Sequence, residues 1–400
     1  NVSKQFYIAT DCKKNYFYTH QFYPSDGALF RTSYPSANIE NLKKNVIFIL
    51  PFNQGRMQRE KDITIYDIAR QLDISAATVS RALQDHKAVN KNTKKRIFDL
   101  AKQLGYRSNN FASNLRNQHT KTIGVIIHEL NSHFITSVLS GIEKITAEAK
   151  YDLIIGHSSE TCKKEIANAH NLFHKRVDGL IVSLAYDTTD LSHFDPFVKK
   201  KIPVVFFDRV DENSHGTRVV IDNYKAGFKA TQHLAEQGCK TIAHVTASLK
   251  RNVYADRLAG YKAALETYGL PFDKSMLIVN DLSEEASVKA ALSLLKMKKL
   301  PDGIFITNDF AAAIMMQVFK DKGLRIPADI AVVGFNNDAV SKIVTPKLTT
   351  INYPGIEMGE IVARNLINHL QGIADINITN TVVIKSELIV RASSLKKTTL

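Results

Sequence analysis

Two sets of residues in this 400-residue chain have types and spacings suited to chemistry. The first is the run Ser75-Ala76-Ala77-Thr78-Val79-Ser80-Arg81. On a helix, Val79 and Leu83 turn inward, and Ala76, Ala77, Ser80 and Arg81 are left outside. Small residues with one arginine on an outer face suit the major groove of DNA. That groove is about 12 Å wide, and its donor and acceptor pattern distinguishes every base pair. The second set follows a series of apolar runs: His128-Glu129, Asp208-Arg209, Asp222-Asn223, Asn308-Asp309 and Asn336-Asn337-Asp338, with Arg257 further along. Arginine presents a planar fork of donors, and carboxylates and amides complement hydroxyl groups. Turn formation or helix capping accounts for any one pair. Five such clusters together with Arg257 predict a binding cleft.

The elements that must hold the first set are short helices. Thr64 caps one, and Asp67 three residues later completes a capping-box pattern. Ile68, Ala69 and Leu72 fall on one face. Asp73-Ile74 makes a turn, and Ser75 caps a second helix over Ala76–Leu83. This is the pattern of a helix-turn-helix DNA reader. A third helix is expected over Lys91–Leu104, with Ile97, Leu100, Ala101 and Leu104 as its apolar stripe and Gly105 at its end. Tyr106–Thr120 is polar, with Phe111, Ala112 and Leu115 at helical spacing. It is too short and polar to be a stable helix alone, and is expected to act as a hinge that orders against DNA.

The second set lies in a different texture. Apolar, β-branched runs recur at Ile123–Ile127, Leu153–Ile155, Leu180–Val182, Val204–Phe207, Val219–Ile221, Ile242–Val245, Ile304–Ile306 and Ala331–Val333. Helical stretches such as Ala226–Gln237 and Ala311–Lys322 alternate with most of them. The pattern predicts α/β architecture with parallel sheets covered by helices on both faces. The polar clusters then fall at the carboxyl ends of strands, where open α/β sheets bind ligands.

Charge supports this division. The formal net charge of +14 is unevenly spread. Residues 57–120 hold twelve Lys/Arg against six Asp/Glu, whereas residues 121–400 hold 34 against 30. Positive density on the helix-turn-helix segment suits phosphate neutralisation. Cys12, Cys162 and Cys239 are widely spaced, so no disulfide framework or metal-ligand pairing is expected and a cytoplasmic location is. No apolar run approaches the roughly 20 residues needed to span a bilayer. Residues 1–56 differ again, with eleven Phe/Tyr and the turn-prone Pro24–Gly27. They are expected to be an extension of unknown role ahead of a natural start near Met57. A small aromatic-rich module is the alternative.

Taken in order, these stretches resemble the lactose/galactose-repressor family of bacterial transcription regulators. The resemblance covers about residues 62–395 and rests on Thr64–Ala69, Ser75–Leu83, Gly105–Leu115, Ile123–Ile127, Phe207–Arg209, Arg257–Tyr261, Thr307–Asp309, Gly323–Pro327, Val333–Phe335 and Leu348–Ile351. It implies a helix-turn-helix headpiece (57–106), a hinge helix (107–120) and a two-lobed core resembling periplasmic sugar-binding proteins (121–400). One lobe is expected over about 121–221 and 353–383, the other over about 223–350 and 386–395. The implied DNA contacts are Thr64, Tyr66, Ser75, Ala76, Ala77, Thr78, Ser80, Arg81, Asn109 and Leu115. Of these, Arg81 reaches a guanine edge, a phosphate or an intrahelical partner, and Leu115 matches a leucine wedge for the minor groove. The implied ligand contacts are His133, Phe134, Arg209, Arg257, Asn308, Asp309, Phe335 and Asn336.

The sequence departs from the family at four places. Ser108 stands for a usual proline, Ser113 for a common arginine, Leu282 for an aromatic platform, and Asn336 for an aspartate. The partners implied are an operator in double-stranded DNA, a sugar-like effector and a second copy of the chain, with no membrane and no cofactor. The outcome expected is repression of transcription from a near-palindromic operator. A sugar-binding protein without a regulatory role is the alternative. Enzyme chemistry is not expected. Gly156–Glu160 lacks the final glycine of a nucleophile elbow, His170 and His174 lack a third metal ligand, and no phosphate loop or dinucleotide fingerprint is present.

Overall fold

The computed structural model describes residues 63–106, 119–212, 214, 216–376 and 381–396, and the strand backbones of 5–11, 16–22 and 29–35. It contains two compact units, Asn1–Arg107 and Ser108–Leu400.

In the first unit, strands β1 (Gln5–Asp11), β2 (Tyr16–Phe22) and β3 (Leu29–Pro35) form an antiparallel sheet in that order. Tyr18 at its centre lies opposite Ala9 on β1 and Ser33 on β3. Three helices follow: α1 (Ile65–Leu72), α2 (Ala76–Leu83) and α3 (Lys91–Gln103). Their ends are set by local hydrogen bonds. Asp67 Oδ2 accepts from the Thr64 backbone N at 2.9 Å and from the Thr64 hydroxyl at 2.7 Å. Asp73 ends α1 in the left-handed region at φ 54°, which a short polar side chain tolerates. Ser75 Oγ accepts from Thr78 N at 3.1 Å and starts α2. Asn90 Oδ1 accepts from Thr93 N at 2.7 Å and starts α3, and Gly105 ends it at φ +66°. The apolar stripes meet in one core of Ile68, Ala69, Val79, Ala82, Val89, Ile97 and Ala101. Ala82 lies inside that core, while Leu83, expected to point inward, is half-buried at its edge.

The second unit has two lobes, each built on a six-stranded sheet. The first-lobe sheet has the order β14-β8-β7-β6-β4-β5, with β4 (Thr122–Ile127), β5 (Asp152–His157), β6 (Gly179–Val182), β7 (Val204–Phe207), β8 (Thr217–Ile221) and β14 (Thr381–Ile384) all parallel. The second has the order β10-β9-β11-β12-β13-β15. Here β9 (Ile242–Thr246), β10 (Leu277–Val279), β11 (Gly303–Ile306), β12 (Ala331–Asn336) and β13 (Thr349–Asn352) are parallel, and β15 (Glu387–Ile389) pairs antiparallel to β13. Helices cover both faces, so central strands such as Val204–Phe207 and Gly303–Ile306 are buried along their whole length. This is why they read as unbroken apolar runs. The chain passes between lobes at Asp222, at Tyr353-Pro354 and at Lys385-Ser386.

Close helix pairs fix the lobes internally. Helix Asn223–Glu236 packs on helix Asn252–Thr267 through Gly227 and Gly260. A Cβ on Gly227 would lie 2.3 Å from the Arg257 carbonyl oxygen, and one on Gly260 2.0 Å from that of Tyr224. Helix His133–Glu148 packs on helix Gly355–Leu370 in the same way, where a Cβ on Gly359 would lie 2.0 Å from the Val138 carbonyl oxygen.

Candidate functional site

In the first unit, the residues predicted to read DNA lie on and beside α2. Ala77 and Arg81 are exposed, while Ala76, Thr78 and Ser80 are half-buried. Ala76, expected fully outside, packs against the headpiece core because it sits on the first turn of α2, above that core. No residue of α2 is acidic, and Arg81 makes no ion pair among the described residues. That removes the intrahelical partner and leaves a guanidinium turned to solvent. The Ser75 and Thr78 hydroxyls lie 2.8 Å apart and hold each other at the start of α2. Thr64 is committed to its cap. Tyr66 is 67% exposed on the first turn of α1. Asn109 and Leu115 lie outside the described residues.

In the second unit, the cleft between the lobes gathers most of the predicted ligand residues. Arg257, on the second lobe, is only 3% exposed. Its Nε donates to Asn223 Oδ1 at 2.9 Å and Nη1 to the Thr307 carbonyl at 3.4 Å. Its plane lies 3.6 Å from the Phe335 ring centroid. Phe335 is therefore a buried support under the arginine. Among the described residues no carboxylate lies within ion-pair distance of Arg257. Burial lowers its pKa, opposed by Tyr353, Tyr254 and Asp208.

From the first lobe, Phe134 stacks on Tyr353 at 4.1 Å, and Tyr353 meets Phe335 edge-on at 5.8 Å. This aromatic run crosses the hinge. The Tyr353 hydroxyl donates to Asp208 Oδ1 at 2.7 Å. Burial pushes the Asp208 carboxyl above its ordinary range, against the pull of Arg209 and of Tyr353. Arg209 donates through Nη1 to both Glu160 oxygens at 2.8 and 2.7 Å and through Nη2 to the Tyr254 hydroxyl at 3.2 Å. Tyr186 covers one face of it at 4.1 Å. His128, whose pKa burial and then Arg209 hold well below the ordinary value, is a neutral group 3.0 Å from Ser183 Oγ.

Several contacts tie the lobes together. Asn252 accepts from Val210 N at 3.1 Å and donates to the Asp208 carbonyl at 3.2 Å. Tyr186 and Tyr254 hydroxyls lie 3.3 Å apart, and Arg251 donates to the Thr188 carbonyl. His133 Nδ1 is 3.3 Å from Asp338 Oδ1.

The remaining predicted residues sit at the rim or beneath it. Asn308 Oδ1 accepts from Ala311 N at 2.9 Å and caps the helix that follows. Asn336, at φ 116°, donates to Asp338 Oδ2 at 3.2 Å. Asp309 is fully buried below the rim, with Oδ2 accepting from Asp338 N at 2.8 Å and Oδ1 from the Thr350 hydroxyl at 2.7 Å. Burial pushes its carboxyl up to about 7. Sequence reasoning did not place Glu160, Tyr186, Tyr254 or Tyr353 among the ligand residues; their contacts are made between distant segments. His170 and His174 bring their Nε2 atoms to 3.0 Å, but no group of three metal-ligating side chains occurs among the described residues.

A helix-turn-helix unit joined in one chain to a two-lobed, periplasmic-binding-protein-like core defines a class: DNA-binding transcription regulators with a ligand-type core. The model for bacterial regulatory proteins of the lacI family matches residues 64–109, and that for the periplasmic binding protein-like domain matches residues 231–394. Catabolite control protein A of Priestia megaterium is 33% identical over 310 residues, covering 77% of this chain and 93% of the relative. Among solved structures, the lac repressor dimer bound to operator and the anti-inducer ONPF superposes with a TM-score of 0.75 at 23% identity, over 84% of this chain and all of that one. The transcriptional regulator CelR in complex with cellobiose superposes with a TM-score of 0.63 at 24% identity, over 83% of this chain and 99% of that one. The chain belongs to the lacI family of bacterial regulatory proteins. It is a DNA-binding transcriptional regulator, and its relatives are regulators rather than enzymes.

Proposed function

We propose that this regulator is a repressor that binds a near-palindromic operator as a homodimer and senses a sugar or sugar derivative between its lobes. The observation that carries the effector reading is Arg257. It is a buried guanidinium in the cleft, with an amide and a carbonyl as partners and no carboxylate among the described residues. A buried cation is costly unless paired or hydrogen-bonded, and ligand oxygens are suited to complete its shell. In this reading His133, Arg209, Asn308 and Asn336 supply further polar groups to the ligand, and Phe134 and Phe335 supply apolar faces. Asp309 contributes by holding the strand ends that carry Asn336 and Asp338.

The DNA reading rests on the exposed Arg81 and Ala77 on a capped helix. In this reading Tyr66 and the Ser75–Thr78 hydroxyl pair face the backbone, and Asn109 and Leu115 act from the hinge, with Leu115 as the minor-groove wedge. The solved lac repressor dimer on its operator and the cellobiose complex of CelR support the homodimer and the sugar class.

A thermal-shift panel of sugars, sugar phosphates and nucleosides on the full chain tests the effector assignment. At least one compound is expected to raise the melting temperature of the wild type, and Arg257→Ala is expected to abolish that rise. A rise of equal size in Arg257→Ala refutes the assignment.

A further inference from the structure

Arg209 and Arg257 lie in the same cleft but differ in how they are satisfied. Among the described residues Arg257 has no carboxylate partner, whereas the Arg209 guanidinium has a carboxylate, a hydroxyl and an aromatic ring against it. Glu160 takes Nη1 with both oxygens, Tyr254 takes Nη2, and Tyr186 covers one face. Glu160 comes from the loop between β5 and helix Cys162–His174. Two successive residues there, Ser159 at φ 48° and Glu160 at φ 59°, occupy the left-handed region. L-residues seldom adopt it, and strained backbone of this kind concentrates at functional sites. The loop is pinned from both sides. Glu160 N donates to the His128 carbonyl at 3.2 Å, and Tyr186 N donates to Glu160 Oε2 at 3.2 Å.

We propose that Glu160 sets the charge preference of the Arg209 side of the cleft: as a resident counter-ion on Arg209, it keeps a ligand phosphate or carboxylate from that guanidinium and leaves only uncharged, hydroxylated groups to be accommodated there. This rests on the reading of the cleft as the effector site. A ligand anion directed at Arg209 would meet a carboxylate already in place, and two like charges sharing one site disfavour each other. Releasing Glu160 would require breaking a contact in which one guanidinium nitrogen, Nη1, meets both carboxylate oxygens, and charge-assisted hydrogen bonds of this kind are about twice as strong as neutral ones. A neutral hydroxyl can instead complete Arg257 without disturbing that pair.

The test uses the full chain and inorganic phosphate as probe, titrated against chloride at matched ionic strength and read by thermal shift and calorimetry. Wild type is expected to bind phosphate no more tightly than Arg209→Met does. Glu160→Gln keeps an acceptor on Arg209 but removes the charge, and is expected to bind phosphate at least tenfold more tightly. Glu160→Ala serves the same purpose with the acceptor removed. The gain is expected to vanish in Glu160→Gln/Arg209→Met, which also separates it from phosphate bound by the basic headpiece. Equal phosphate affinity in wild type and both single variants, or a gain that persists in the double variant, overturns the proposal. That result would leave the effector site itself standing, since the site is judged by Arg257→Ala.

Discussion

Arg257, Arg81 and Asp309 show how differently single residues can be read from sequence. Arg257 stood out in sequence because it opens a distinctive run, Arg257–Tyr261, and the structure buries it over the Phe335 ring. Arg81 was legible as an outward cation, and the lack of any acid on α2 leaves it available to DNA. Replacing it with alanine is expected to reduce discrimination between operator and mismatched sites by about 1–3 kcal/mol, with little change in non-specific affinity, as measured by fluorescence anisotropy at fixed salt. Asp309 was visible only as a polar residue after a strand. Its burial depends on the arrival of Thr350 and Asp338 from later strands, which no local pattern announces. Its raised pKa has a definite consequence for stability. The folded state binds the proton more tightly than the unfolded chain, so stability falls as pH rises between the two pKa values. The contribution is full below the ordinary value of 3.8 and is lost as pH passes about 7. Asp309→Asn cannot titrate, so it is expected to flatten that decline in urea denaturation run from pH 5 to pH 7.5. An unchanged slope would show that the carboxyl is ionised throughout.

At the scale of elements, caps and periodicity carried the reading furthest. Thr64, Ser75 and Gly105 mark helix ends in both sequence and structure, and the eight apolar runs all lie within strands. The short strands β10, β14 and β15 were harder to find. Each has only three or four residues and lies partly exposed at a sheet edge, so even the apolar stretches Leu277–Val279 and Val382–Ile384 are too short to stand out as strands. Helix packing was also hidden. Gly227 looks like a weakness in a helix, yet it is where helix Asn252–Thr267 approaches closely enough to bring Arg257 into the cleft. Gly227→Ala is expected to destabilise the chain by about 1–3 kcal/mol through overpacking and to weaken effector binding as well. Gly359→Ala, at the equivalent crossing in the other helix pair, is expected to show the stability loss without that effect on binding. Parallel denaturation and ligand titrations distinguish the two, and normal effector affinity in Gly227→Ala would show that Arg257 does not depend on this crossing.

For the whole molecule, the division of labour was legible from charge and texture: a basic, helical head and an apolar, alternating core. What could not be read was the state of the cleft. The contacts that hold the lobes together, from Asn252 to Val210 and Asp208 and from Tyr254 to Tyr186 and Arg209, join residues about 40 to 70 positions apart. They hold the lobes in one arrangement, which a ligand can favour or disfavour. A ligand with different affinities for this and a second arrangement shifts their balance, and through it any DNA affinity linked to them. The most direct test measures operator affinity by anisotropy with and without a saturating cleft ligand taken from the thermal-shift panel. The account predicts a change of about 5- to 150-fold, equivalent to a coupling of about 1–3 kcal/mol, in wild type and none in Arg257→Ala. Identical operator affinity with and without ligand in the wild type would contradict it.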